Sequence, residues 1–153
     1  MLRLSRKTLL ALEAVIDIAY NARREPVQAR EITARQGVPQ RYLEQVMQQL
    51  VRAGILKGIR GPRGGYRLAR ERRRIFVGAV IRIATSFDTD GDELSGGSEL
   101  GRRVVMPIIA SLQEEVMQKL DLITIEDLCA KARESGLECG DSESQGPLAD
   151  FTI

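Results

Sequence analysis

The sequence predicts a mainly α-helical chain with a small β-wing: a winged helix-turn-helix followed by a long dimerisation helix. Three observations carry that prediction. Two short amphipathic segments meet at a tight Gly37-Val38 break, a Gly/Pro/Arg-rich loop separates two strand-like runs, and a later apolar stripe recurs at helical spacing.

Ser5 is placed to cap the first helix, in which Leu9, Leu10, Ala14, Val15, Ile18 and Ala19 recur at helical spacing until the pattern fades near Arg23. Glu25-Pro26 marks a turn. Ala29 to Gln36 reads as a short second helix with Ile32 facing inward. Pro39 then suits the first turn of a third helix, because its fixed φ is helical and its missing N–H would have no partner there. Tyr42, Leu43, Val46, Met47 and Leu50 form the buried stripe of this helix, which ends near Ala53, with Gly54 supplying a left-handed stop. Ile55 to Ile59 and Tyr66 to Ala69 are strand-like, and Arg60-Gly61-Pro62-Arg63-Gly64-Gly65 between them makes a hairpin with an arginine-bearing tip. Farther on, Val105, Ile108, Ile109, Leu112, Val116 and Leu120 mark a long helix starting near Met106-Pro107. Thr124 and Asp127 have capping-box spacing for a last helix that ends near Ser135.

The 153 residues thus divide into a winged helix-turn-helix domain (1–84), a flexible acidic loop (85–101), a dimerisation helix with a C-terminal helix (102–135) and a tail (136–153) whose Ser, Gly and acidic content predicts disorder. Hydrophobic residues at 43% and charged residues at 29% exclude a generally disordered chain. No apolar run approaches the roughly 20 residues of a membrane span. Glu13 and Asp17 interrupt the stretch behind Arg3, Arg6 and Lys7, so no signal peptide is expected. Two cysteines, Cys129 and Cys139, are too few for a disulfide framework, and a reducing cytoplasm is the expected compartment. Histidine is absent, which removes the commonest general base and metal ligand and argues against an enzyme.

The near-neutral total hides a charge split. Residues 1–85 carry 18 Lys+Arg against 6 Asp+Glu, whereas residues 86–153 carry 5 against 15. A basic half joined to an acidic half points to a polyanion-binding module and a second part that does not bind polyanions. In a winged helix-turn-helix the third helix lies in the major groove with its first turns against base edges. Gln40, Arg41, Glu44 and Gln45 are placed to reach them: arginine pairs with guanine, glutamine with adenine, and a carboxylate accepts from the cytosine amino group. Arg60 and Arg63 at the hairpin tip suit phosphates or a narrow minor groove. Tyr42 reads as core packing. No P-loop Gly-Lys-Ser/Thr follows the tip glycines, so a nucleotide cradle does not fit.

Arg35-Gln36-Gly37-Val38, Tyr42-Leu43-Glu44-Gln45 and above all Arg60-Gly61-Pro62-Arg63-Gly64-Gly65-Tyr66-Arg67-Leu68 resemble the Rrf-type winged-helix regulators, which include the IscR, NsrR and CymR types. Leu2 to Lys7 and Val77 to Ile81 are similar too. The likeness covers residues 1–84 by motif and 85–135 by layout. It implies a homodimeric transcription factor on a pseudo-palindromic duplex operator, with DNA-contacting positions at Arg41, Glu44 and Arg60; Tyr42 and Gln45 also match the motif. Ile108, Ile109, Leu112, Val116 and Leu120 are then the dimer contact.

The departure from the pattern is equally informative. Iron-sulfur members carry three cysteines in the loop before the long helix, and here Phe87 to Leu100 contains none. Thiolates are the normal cluster ligands, so no cofactor and no metal site are expected. The chain resembles the cluster-free CymR type, which implies repression, a link to sulfur and cysteine metabolism, and a metabolic-enzyme partner. Asp88, Asp90, Asp92 and Glu99 fall at calcium-loop positions 1, 3, 5 and 12, but Glu93 occupies the position that requires glycine, so an acidic loop is the better reading. Two other readings use the same residues differently. One is a protein-interaction module that modulates a metabolic enzyme, against which the retained Arg41, Arg60 and Arg63 argue. The other is an iron-sulfur or redox-sensing regulator using Cys129 and Cys139.

Overall fold

A computed structural model describes residues 4–21, 25–87 and 97–137. The acidic residues 88–96 and the tail from 138 onward, including Cys139 and three of the four calcium-loop positions, lie outside the described residues.

The first helix, α1 (Arg6–Asn21), starts where Ser5 predicts: the Thr8 N–H donates to Ser5 Oγ at 3.1 Å. Leu10, Ala11, Ala14, Val15 and Ile18 are buried, and α1 is the central element, packing on the helices of both ends of the chain. Leu9, which shares the helical periodicity, is instead 43% exposed.

Helix α2 (Ala29–Gln36) buries only Ile32, too little apolar area to hold it in place alone. Its C-terminal end is held instead by charge. Asp17 on α1 is buried and accepts from Arg35 Nε at 2.9 Å and Nη2 at 2.6 Å, and from Gln36 Nε2 at 3.2 Å. Gly37 then takes φ +66°, and its N–H returns to the Thr33 carbonyl at 2.8 Å, a left-handed stop that costs glycine no Cβ clash. Pro39 stands at the N-cap, one place before the first turn where the sequence puts it, and α3 runs Gln40–Arg52. Leu43, Val46, Met47 and Leu50 are buried on one stripe. Each contributes about 1.5–3 kcal/mol of apolar burial, against at most about 1 kcal/mol for an exposed ion pair, so packing sets the pose of α3.

The wing is an antiparallel hairpin of β1 (Leu56–Ile59) and β2 (Gly65–Leu68), paired Leu56 to Leu68 and Ile59 to Gly65. It is tied back to the segment before α2 by a bridge the sequence does not reveal. The Val27 N–H donates to the Tyr66 carbonyl at 3.0 Å, and the Tyr66 N–H to the Val27 carbonyl at 2.8 Å. Gly65 makes this possible, because a Cβ there would lie 2.5 Å from the Val27 carbonyl oxygen.

After a 3₁₀ turn at Arg72–Arg74, α4 (Val77–Ser86) buries Val77, Val80, Ile81 and Ala84. The long helix begins at residue 99, earlier than the Pro107 signal indicates. It passes through a π turn at Gly101–Val105, in which the Met106 N–H donates to the Gly101 carbonyl, and continues as α5 (Met106–Leu120). A proline within a helix clashes with the carbonyl four residues back, and a widened turn just before it relieves that clash. α6 (Ile125–Glu134) carries the expected capping box: the Thr124 N–H donates to Asp127 at 2.9 Å, and the Asp127 N–H to Thr124 Oγ1 at 3.1 Å. Ile125 and Cys129 are buried against the core that α1 organises.

The two halves are stitched together by backbone and charge. Val77 donates to Ile123 and Ile125 to Ile75, both at 2.9 Å, and Arg82 on α4 grips Asp121 at the end of α5 with both terminal guanidinium nitrogens, Nη1 and Nη2. That hydrogen bonding holds the Asp121 carboxyl below the usual carboxylate range. Gly78 leaves the space, since a Cβ there would collide with the Asp121 carboxylate.

Candidate nucleic-acid interface

Helix α3 turns its apolar stripe into the core and leaves its opposite side outward. Gln40, Arg41 and Gln45 are exposed, while Tyr42 and Glu44 are half-buried. Tyr42 packs against the core, as the sequence suggests. Gln40 Nε2 donates to Glu44 Oε1 at 2.9 Å, so two of the base-reading candidates are linked to each other across one helical turn. Burial raises the Tyr66 phenol above its ordinary value, and the negative charge of Glu44 raises it further.

At the wing tip, Arg60 and Arg63 are both exposed. Arg63 lies 3.9 Å from Glu25, with both side chains largely in solvent, a contact too loose to compete with a phosphate. The tip closes through the Gly64 N–H on the Gly61 carbonyl at 2.9 Å. Further basic side chains outside the motif are exposed: Arg30 in the first turn of α2, Lys57 on β1, and Arg73 and Arg74 in the 3₁₀ turn. For Arg30 a signal existed, since the first helix of the unit is the one that crosses the DNA backbone. The exposed side chains of α3 and the wing thus include both kinds of group that recognition needs, phosphate-directed cations and hydrogen-bonding side chains on a helix.

The long helix divides differently from its sequence stripe. Ile108, Leu112 and Val116 are 56%, 44% and 45% exposed, and Val104, Val105 and Met106 are exposed with them. Ile109 is half-buried. Leu120 instead packs on its own chain's core, together with Met117.

The family model for Rrf2, described as an iron-dependent transcriptional regulator, matches residues 4–131. The chain belongs to the Rrf2 family. It is 34% identical over 129 residues to the HTH-type transcriptional regulator IscR of Xenorhabdus nematophila, covering 83% of this chain and 79% of that protein. Among solved structures it is similar to T. potens IscR, with a TM-score of 0.71 and 32% identity over 93% of this chain and 96% of that one. It is also similar to CymR, the global cysteine regulator of B. subtilis, with a TM-score of 0.68 and 30% identity over 86% and 98%. The chain is therefore a winged-helix transcriptional regulator, and its relatives are regulators rather than enzymes.

The sequence offers no histidine and no cysteine cluster to hold the iron of the family's description. The chain has no histidine, residues 87–100 hold no cysteine, and the only other thiols are Cys129 and Cys139. Cys129 is fully buried, and burial pushes its thiol up, away from the thiolate a metal needs. A cysteine-ligated cluster does not fit these residues. Protein purified without oxygen should be colourless, with iron and sulfide far below one per chain. A brown preparation with stoichiometric iron and sulfide would contradict this.

Proposed function

We propose that the chain is a sequence-specific, cluster-free DNA-binding regulator that acts as a homodimer in the cytoplasm on a pseudo-palindromic operator. The observation that carries the reading is the exposed first turn of α3, with Arg41 and the Gln40–Glu44 pair, next to a wing tipped by Arg60 and Arg63. The homodimer rests on the apolar residues that α5 leaves in solvent. A two-fold mate covers such a stripe, and it sets two recognition helices at the fixed separation that two half-sites require. The finer reading is repression of genes of sulfur or cysteine metabolism, supported by the likeness to the cysteine regulator CymR.

Single substitutions test the DNA reading. Arg60→Ala should weaken binding broadly across sequences, with little change in preference, because a wing arginine acts on phosphates and groove shape. Arg41→Ala should relax discrimination at one or two base pairs, by about 1–3 kcal/mol each. Identical specificity profiles for wild type and Arg41→Ala would remove Arg41 from the base-reading set. Undiminished binding by both variants would overturn the reading.

A further inference from the structure

We infer that Gln40 is a positioning residue that sets base specificity by holding the Glu44 carboxylate in one orientation on the surface of α3. This rests on the DNA-binding reading above. Glu44 is the one acidic side chain in the outward-facing first turns of α3, on a surface otherwise suited to a polyanion. A carboxylate there is repelled by phosphates and has one favourable target in the major groove, an exocyclic amino group such as that of cytosine. A free glutamate samples many rotamers and must give up that freedom to make the contact. Gln40 removes part of the cost beforehand: its Nε2 donates to Glu44 Oε1 at 2.9 Å, between residues four apart on one helix face.

The geometry also divides the labour between the two side chains. With Oε1 engaged by the amide, Oε2 of Glu44 is the oxygen left to accept from a base. Gln40 keeps its second Nε2 hydrogen and its Oε1 for a neighbouring edge. The pair therefore offers a fixed acceptor beside a donor, and it favours an amino-bearing base at the position under Glu44. Immobilising one rotamer-rich side chain is worth about fivefold in binding, so losing the clamp should cost about fivefold in discrimination at that position.

The test is a competitive selection from a random duplex pool, with profiles compared for wild type, Gln40→Ala, Glu44→Ala and the double variant. Glu44→Ala identifies the position that Glu44 reads. Gln40→Ala is expected to flatten preference at that same position about fivefold, and to have no further effect there once Glu44 is already alanine. The contact is exposed, so thermal stability should stay close to wild type in all three variants. A Gln40→Ala profile like that of wild type at the Glu44 position would overturn the inference. So would an undiminished effect of Gln40→Ala in the Glu44→Ala background, which would make the two residues independent readers. If wild type enriches no sequence, the DNA-binding reading falls and this inference with it.

Discussion

Leu112→Asp should convert the proposed dimer into a folded monomer that no longer holds its operator tightly. Leu112 is 44% exposed in the single chain, so a carboxylate there can stay hydrated in the isolated protomer and the fold survives. In a two-fold contact the same substitution occurs twice and buries two carboxylates against apolar surface. Burying a charge without a partner costs several kcal/mol. A total of about 4 kcal/mol weakens dimerisation about 10³-fold. Sedimentation and circular dichroism on one sample check the outcome: expected is a monomer with an unchanged helical spectrum. A variant that is folded and still dimeric would place the interface elsewhere.

Arg35→Ala should strongly destabilise the helix-turn-helix although the arginine itself is partly exposed. Its target, Asp17, has a side chain only 4% exposed, whereas Arg35 itself is 35% exposed. Truncating the arginine therefore strands a buried carboxylate with Gln36 and Asn21 as its remaining described partners. Breaking a buried pair in this way costs about 3–5 kcal/mol, a fall of roughly 6–20 °C in Tm for a domain of this size. Because the pair anchors α2 to α1, the loss should reach DNA binding through the pose of α2, whose first turn carries the exposed Arg30. Thermal melts check the prediction. A Tm within about 2 °C of wild type would show that apolar packing alone holds α2.

The elements most legible in the sequence are those with local signals. Periodicity marks α1 and α3, Gly37 and Gly54 mark helix ends, and the Gly/Pro-rich tip marks the wing. Thr124 and Asp127 mark the start of α6. What the sequence hides is contact between distant positions. Asp17 reads as a break in an apolar stretch, yet it is the buried partner of a residue eighteen positions away. The Val27–Tyr66 bridge and the Arg82–Asp121 grip leave no periodic trace either. The start of the long helix was obscured by Pro107, whose usual place is a first turn; the π turn lets it sit inside the helix instead. At the candidate interface, residue types and exposure were readable for Arg41, Gln45, Arg60 and Arg63. The Gln40–Glu44 link was readable only as spacing, since an i,i+4 pair can face either each other or a ligand.

Recognition of duplex DNA by sequence, through phosphate-directed arginines and base-directed side chains on α3, is the core of the proposed function. Selection from a random duplex pool by the purified full chain, with retention of the winning sequence followed from about 50 to 200 mM salt, tests it most directly. Enrichment of a two-fold-related sequence with half-sites about one helical turn apart is expected. Affinity should also fall steeply with salt, roughly 10³–10⁵-fold if six to ten phosphates are neutralised. A pool that emerges without any enriched sequence, or retention equal at both salt concentrations, would contradict it.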